Sequence, residues 1–221
     1  MNKKILITII VIVAGSIAGI VALNTLLANN NPTTPDGTMV LQSEVTSVNV
    51  AILGPEETIK TGVIGNNGEI IFTGLPNGKY NAIATKVGYS NHYVLSTSIN
   101  NGGLTTVQIY MYAVPDQDPL YLSTNPSAII IKQGSSKTVI VTVTSLNNYA
   151  GEVSMSCHAS TSGVTGVLNP TSGSITAGGT LSSTLTLTVS STATKGIHQV
   201  YLDLEHISGG IGGYGLMLQV P

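Results

Sequence analysis

Thr184-Leu185-Thr186-Leu187-Thr188-Val189 alternates an apolar residue with a threonine for six residues without a break. Successive side chains of a strand point to opposite faces, so this segment carries one apolar face and one hydroxyl face. Threonine is favoured on exposed strand surfaces, and one buried face per strand is the pattern of a sandwich. The pattern recurs outward in both directions. Val139, Val141 and Val143 oppose Thr138, Ile140, Thr142 and Thr144, while Val200, Leu202 and Leu204 oppose Gln199, Tyr201, Asp203 and Glu205. Further upstream, Val48, Val50 and Ile52 point one way and Asn49 and Ala51 the other. Ile70 and Phe72 alternate with Ile71 and Thr73, and Val107, Ile109 and Met111 alternate with Gln108, Tyr110 and Tyr112. Asn67-Gly68, Asn77-Gly78 and Asn101-Gly102-Gly103 supply the positive-φ positions that tight hairpins need. The expected fold class is all-β, with two tandem β-sandwich domains behind one N-terminal transmembrane helix.

The chain has 221 residues, enough for a membrane segment and two small domains. Charged residues make up 8%, against about 25% in an ordinary soluble domain. Ser, Thr, Asn and Gly take their place, so the surface is polar through hydroxyls and amides. Apart from Lys3 and Lys4, six scattered lysines face ten acidic residues, a net charge of −4 with no arginine. Nucleic-acid binding needs clustered cations to displace counterions from phosphates, and is excluded. The single cysteine, Cys157, forbids an intrachain disulfide; it shares a face with Val153 and Met155 and reads as a small buried hydrophobe.

Lys3 and Lys4 precede an uncharged, mostly apolar run of nineteen residues, Ile5 to Leu23, with weaker apolar character to Ala28. At 1.5 Å per residue a helix of this length roughly matches the ~30 Å hydrocarbon core. Residues 1–28 are therefore expected to be an uncleaved signal anchor, single-pass in the cell membrane, with the lysines inside and the rest of the chain outside. The competing expectation is a signal peptide cut after Ala18 or Ala28, releasing a secreted protein. Gly15 and Gly19 form a GxxxG pair that would let two helices pack closely. Residues 29–37 read as a polar linker. The outer part divides into 38–115 and 116–221 at the turn Asp116-Gln-Asp-Pro119.

Two resemblances sharpen this division. Val48-Asn-Val-Ala-Ile52, the strand around Thr61, and NNGEIIFTGLPNGKYNAIATKVGY from Asn66 to Tyr89 resemble carboxypeptidase regulatory-like (transthyretin-like) modules, close to Cna B-type repeats. In such modules an Asn/Asp-Gly turn leads into a strand with a buried aromatic, here Phe72. A Leu-Pro-x-Gly-x-Tyr turn follows at Leu75 to Tyr80, and a Gly-Tyr pair at Gly88 and Tyr89. The resemblance implies a non-catalytic spacer, stalk or interaction module. Some relatives carry a Lys–Asn isopeptide bond helped by an acid; the first strand here has no lysine, and none is expected. The second part resembles immunoglobulin-like repeats of archaeal and bacterial surface proteins through Asn125-Pro-Ser127, Gln133-Gly134, Gly151-Glu-Val-Ser-Met-Ser, Asn169-Pro-Thr-Ser-Gly-Ser-Ile175 and Thr194-Lys-Gly-Ile-His198. That resemblance implies extracytoplasmic display.

No catalytic, cofactor or metal site is expected. Gly210-Ile-Gly212-Gly-Tyr-Gly215 fits GxGxxG, but it leads into the strand Leu216 to Val220 rather than a helix, and reads as a flexible hairpin loop. His158 and His206, with Asp203 or Glu205, lack metal-ligand spacing, and His92 and His198 stand apart. Glu56-Glu57 and Asp116/Asp118 read as solvated loop carboxylates rather than acid–base pairs or calcium ligands. Every Asn-x-Ser/Thr triplet has a central proline, which blocks N-glycosylation. Tyr110, Tyr112 and Tyr121 are the candidates for an exposed interaction face. The expected function is non-enzymatic: a structural or interaction protein whose partners are the membrane and other surface proteins, or its own copies. Two other readings stand beside it. In one, an extracellular filament subunit donates an apolar N-terminal strand to a neighbour's sheet. In the other, an accessory subunit of a membrane enzyme complex packs through Gly15 and Gly19.

Overall fold

The computed structural model describes residues 36–113, 119–207 and 209–221, and every regular element among them is a strand. The expected anchor with Gly15 and Gly19, most of the linker and the boundary at 115/116 lie outside the described residues. Residues Asp36–Pro221 form one compact unit.

The first seven strands are β1 (Gly37–Gln42), β2 (Asn49–Leu53), β3 (Ile59–Val63), β4 (Glu69–Leu75), β5 (Gly78–Thr85), β6 (His92–Ile99) and β7 (Leu104–Gln108). They form two sheets, ordered β4-β1-β7 and β3-β2-β5-β6. In the first, β1 lies antiparallel to β4 and parallel to β7. The alternation seen in the sequence selects the inner face. Met39, Leu41, Phe72 and Val107 from one sheet meet Val50, Ile52, Tyr80, Ala82 and Ala84 from the other in one buried cluster. Ile71, opposite in phase to Phe72, is 57% exposed. The Asn-Gly turns take the conformations their residues allow: Asn101 (φ 50°), Gly102 (φ 68°) and Gly68 (φ 76°) all lie in the left-handed region.

Nine strands follow: β8 (Leu120–Asn125), β9 (Ala128–Ile130), β10 (Ser136–Ser145), β11 (Gly151–Ala159), β12 (Val164–Asn169), β13 (Ser172–Ile175), β14 (Thr180–Val189), β15 (Gly196–His206) and β16 (Gly209–Val220). Their sheets run β12-β14-β10-β8 and β13-β11-β15-β16-β9. Val139, Val141, Val143, Leu185, Leu187 and Val189 face Val153, Met155, Val200, Leu202, Leu204, Leu216 and Leu218 across a second core. The apolar residues of the opening motif are inside, and its threonines are on the outer side at half-buried or exposed positions. The chain changes sheets at the cis Asn125–Pro126 peptide: β8 pairs with β10, and β9 then pairs in parallel with β16.

One local expectation is corrected. The glycine run Gly210–Gly215 is not a loop but the first half of β16, which pairs with the long strand β15, and Ile207 lies in the turn that precedes it. Glycine suits the place where a backbone approaches closely: a Cβ on Gly215 would stand 2.6 Å from the Val200 carbonyl oxygen.

Candidate interaction surface

The two cores are bridged by a third apolar cluster. Ala51, Leu53 and Ile83 lie on the outer face of the β3-β2-β5-β6 sheet, because Val50, Ile52, Ala82 and Ala84 use the inner one. They pack against Ala128 of β9 and Met217 of β16, with Tyr93, Ile130 and Ile197 around them. All five central residues are at most 1% exposed. Two hydrogen bonds close the rim: Tyr93 Oη donates to the Gly215 carbonyl at 2.9 Å, and Gln219 Nε2 donates to the Gly54 carbonyl at 3.0 Å. Burial pushes the Tyr93 phenol up to about 12. Lys132 and Glu57 add a 3.5 Å ion pair across the same junction, with both side chains largely in water, where such pairs contribute little. The sheet's exposed flank and the β8 edge enclose a groove of about 520 Å³, lined by Asn49, Thr61, Thr85 and Lys86 on one side and Ser123, Thr124 and Asn125 on the other.

The three tyrosines proposed from the sequence do not form one face. Tyr121 is 1% exposed, belongs to the second core's cluster and lines the inner wall of that groove. Its neighbours Leu120 and Leu122 are equally buried, so the segment is covered on both sides and period-two alternation could not reveal it. Tyr110 and Tyr112, by contrast, are 58% and 68% exposed. They continue the outer face of β7, since Val107 and Ile109 of the opposite phase are buried. Their backbone is held on both sides: Ile109 N–H donates to the Gln42 carbonyl at 2.7 Å, and Ser90 N–H donates to the Tyr112 carbonyl at 2.8 Å.

Beside them runs a row of side chains that sequence reading did not find. On the outer face of the β4-β1-β7 sheet, Gln108, Gln42 and Glu69 are direct neighbours in register. Gln108 Nε2 donates to Gln42 Oε1 at 2.5 Å, and Gln42 Nε2 donates to Glu69 Oε1 at 2.6 Å. The partners are separated by 66 and 27 residues, so only the strand pairing brings them together. Two shallow hollows meet at this row. One of about 180 Å³ contains Tyr110, Tyr112, Gln108 and Glu44, and one of about 240 Å³ contains Gln42, Glu69, Asn67 and Glu44.

The remaining polar candidates are placed as follows. His158 Nδ1 lies 3.2 Å from Asp203 Oδ2, and its ring stacks on Tyr201 at 5.0 Å between centroids. His206 lies opposite Val153, five positions along β11 from His158, so the two histidines do not converge. Among the described residues no three His, Cys, Asp or Glu side chains are grouped to hold a metal ion. Cys157 points inward, as its alternation with Val153 and Met155 implied, and packs half-buried against the second core. Burial pushes its thiol above the ordinary cysteine range, with the Asp203 carboxylate adding to the effect.

No family model matches the chain, and no curated protein matches it. Among solved structures it is similar to the major pilin subunit of Bacillus cereus, at 10% identity and a TM-score of 0.30, over 84% of this chain and 69% of that one. It is also similar to the D0-D1 domain of intimin, at 13% identity and a TM-score of 0.33 (80% and 83% covered), and to domains 4 and 5 of the S-layer protein SbsC, at 12% and 0.29 (77% and 75% covered). At these values no function passes from those proteins to this chain.

Proposed function

We propose that this chain is a non-catalytic extracytoplasmic protein that holds two β-sandwiches out from a membrane for contact with other surface components or with its own copies. The observation that carries the reading is the joint at Ala51, Leu53, Ile83, Ala128 and Met217. A spacer needs its modules held in a fixed relation, and a fully buried apolar contact with hydrogen bonds at its rim resists the independent domain motion expected of a small polar interface. The low-charge surface of hydroxyls and amides suits an environment where pH and salt vary, because it depends little on ionised groups. Within this proposal residues 38–115 are a carboxypeptidase regulatory-like module and 116–221 an immunoglobulin-like one. Residues 1–28 are the single-pass anchor, with Gly15 and Gly19 available for helix packing. Fractionation of native cells tests it. The full chain, Lys3 and Lys4 included by mass spectrometry, should sediment with membranes and dissolve in detergent as a monomer or small oligomer. A soluble cytoplasmic protein would refute the reading.

A further inference from the structure

Tyr110 and Tyr112 stand out in a chain that has one phenylalanine, no tryptophan and only 5% aromatic residues. They are the most exposed tyrosines among the described residues, they lie two positions apart on one side of one extended segment, and their backbone is pinned on both sides. An exposed phenol ring presents an apolar face with a hydroxyl at its tip, which suits a ligand that is apolar on one side and hydroxylated at its edge. The neighbouring row supplies the edge. Glu69 accepts from Gln42, which fixes that amide with its oxygen toward Gln108; Gln108 Nε2 then donates to it. The row thus runs in one direction, with Gln108 Oε1 and Glu69 Oε2 left as acceptors at its two ends. Glu44 adds a further carboxylate where the two hollows meet, and no lysine lines either of them. Acceptors without a cation repel an anionic ligand and favour a donor-rich neutral one.

We infer that Tyr110, Tyr112, Gln108, Gln42 and Glu69 form a binding face for a neutral carbohydrate chain, its sugar rings stacked on the tyrosines and its hydroxyls donating to the amide–carboxylate row. This goes beyond the display role. It deepens that role by giving the contact a ligand class, yet the face is complete without any membrane anchor. A negative localisation result and a negative binding result are therefore separate outcomes.

The test uses the full chain in detergent, run by affinity electrophoresis through gels containing a soluble β-glucan, a mannan or a galactan, with polygalacturonate as the acidic control. At least one neutral polysaccharide should retard the chain while polygalacturonate does not. Replacing one stacked ring, as in Tyr110→Ala or Tyr112→Ala, should weaken that retardation about tenfold, the loss expected for one aromatic contact. Gln108→Ala should weaken it too, and Leu104→Ala, equally exposed on the same strand, should not. Near-unchanged melting of the tyrosine variants keeps the result apart from unfolding. Failure of all three neutral polysaccharides to retard the chain would overturn the inference. So would retardation that survives the double tyrosine variant, or a self-association lost with Tyr112→Ala in the absence of any carbohydrate binding.

Discussion

The hydroxyl of Tyr93 donates a 2.9 Å hydrogen bond to the carbonyl of Gly215, 122 residues further along the chain. One end of this bond belongs to the sandwich built from β1–β7 and the other to the sandwich built from β8–β16, so it measures the closure of the joint. Met217 lies fully buried in that joint, outside both main cores. Met217→Asp places a carboxylate among apolar side chains, a cost of several kcal/mol that opening the joint relieves. Amide exchange should accelerate at Ala51, Ile83 and Ala128, with Val50 and Val141 unchanged. Tyr93→Phe should act in the same direction by about 1 kcal/mol, the net worth of one hydrogen bond. Unaltered exchange in both variants would show that the joint carries no load.

Alkaline pH gives a second readout. The phenols of Tyr93 and Tyr80 are both raised to about 12, chiefly by burial, against an ordinary value near 10. The folded state therefore holds these protons after the unfolded chain has released them. Their contribution to stability is complete below about pH 10 and declines as pH rises toward about 12. Denaturant midpoints measured from pH 8 to 12 should fall over that window. The fall should shrink in Tyr93→Phe and Tyr80→Phe, and an identical slope in both variants would contradict the assignment.

Phe72 is the aromatic of the first core, 7% exposed and flanked by outward-facing Ile71 and Thr73. Phe72→Ala should destabilise that sandwich by about 3–5 kcal/mol through lost burial and the cavity left behind. Among the described residues the second core draws none from before Leu120, so near-native exchange protection at Val141, Leu185 and Leu202 should persist. Joint loss of both sets in a single transition would mean that the two sandwiches do not fold separately.

Cys157 supplies a simple chemical check. Its half-buried thiol, raised by burial, offers little thiolate near neutrality. Alkylation of the folded chain at pH 7.5 should run well below the rate in denaturant, and a folded rate equal to the unfolded one would place the sulfur at the surface.

These relationships mark what could be read before the structure. Strands such as Thr184–Val189 and Ser136–Ser145 were legible because one buried face imposes period two; the inward turn of Cys157 followed from the same phase, and that of Phe72 from the resemblance to carboxypeptidase regulatory-like modules. Alternation fails where a strand is covered on both faces, as at Leu120-Tyr121-Leu122. It fails again where glycines continue a strand by virtue of a long partner, as at Gly210–Gly215 against β15. The joint and the Gln108–Gln42–Glu69 row were out of reach for a different reason. Each depends on which strands become neighbours, and alternation within a strand says nothing of its partner. Tyr110 and Tyr112 could be placed on an outer face from phase alone; their fixed backbone and the acceptors beside them could not.

The central claim is display outside a membrane, and protease digestion of intact native cells tests it most directly. The account predicts that protease added from outside removes residues 36–221 while a cytoplasmic control protein survives, leaving an N-terminal remnant that carries Lys3 and Lys4 in the membrane fraction. Full protection of residues 36–221 until the cells are lysed would contradict it.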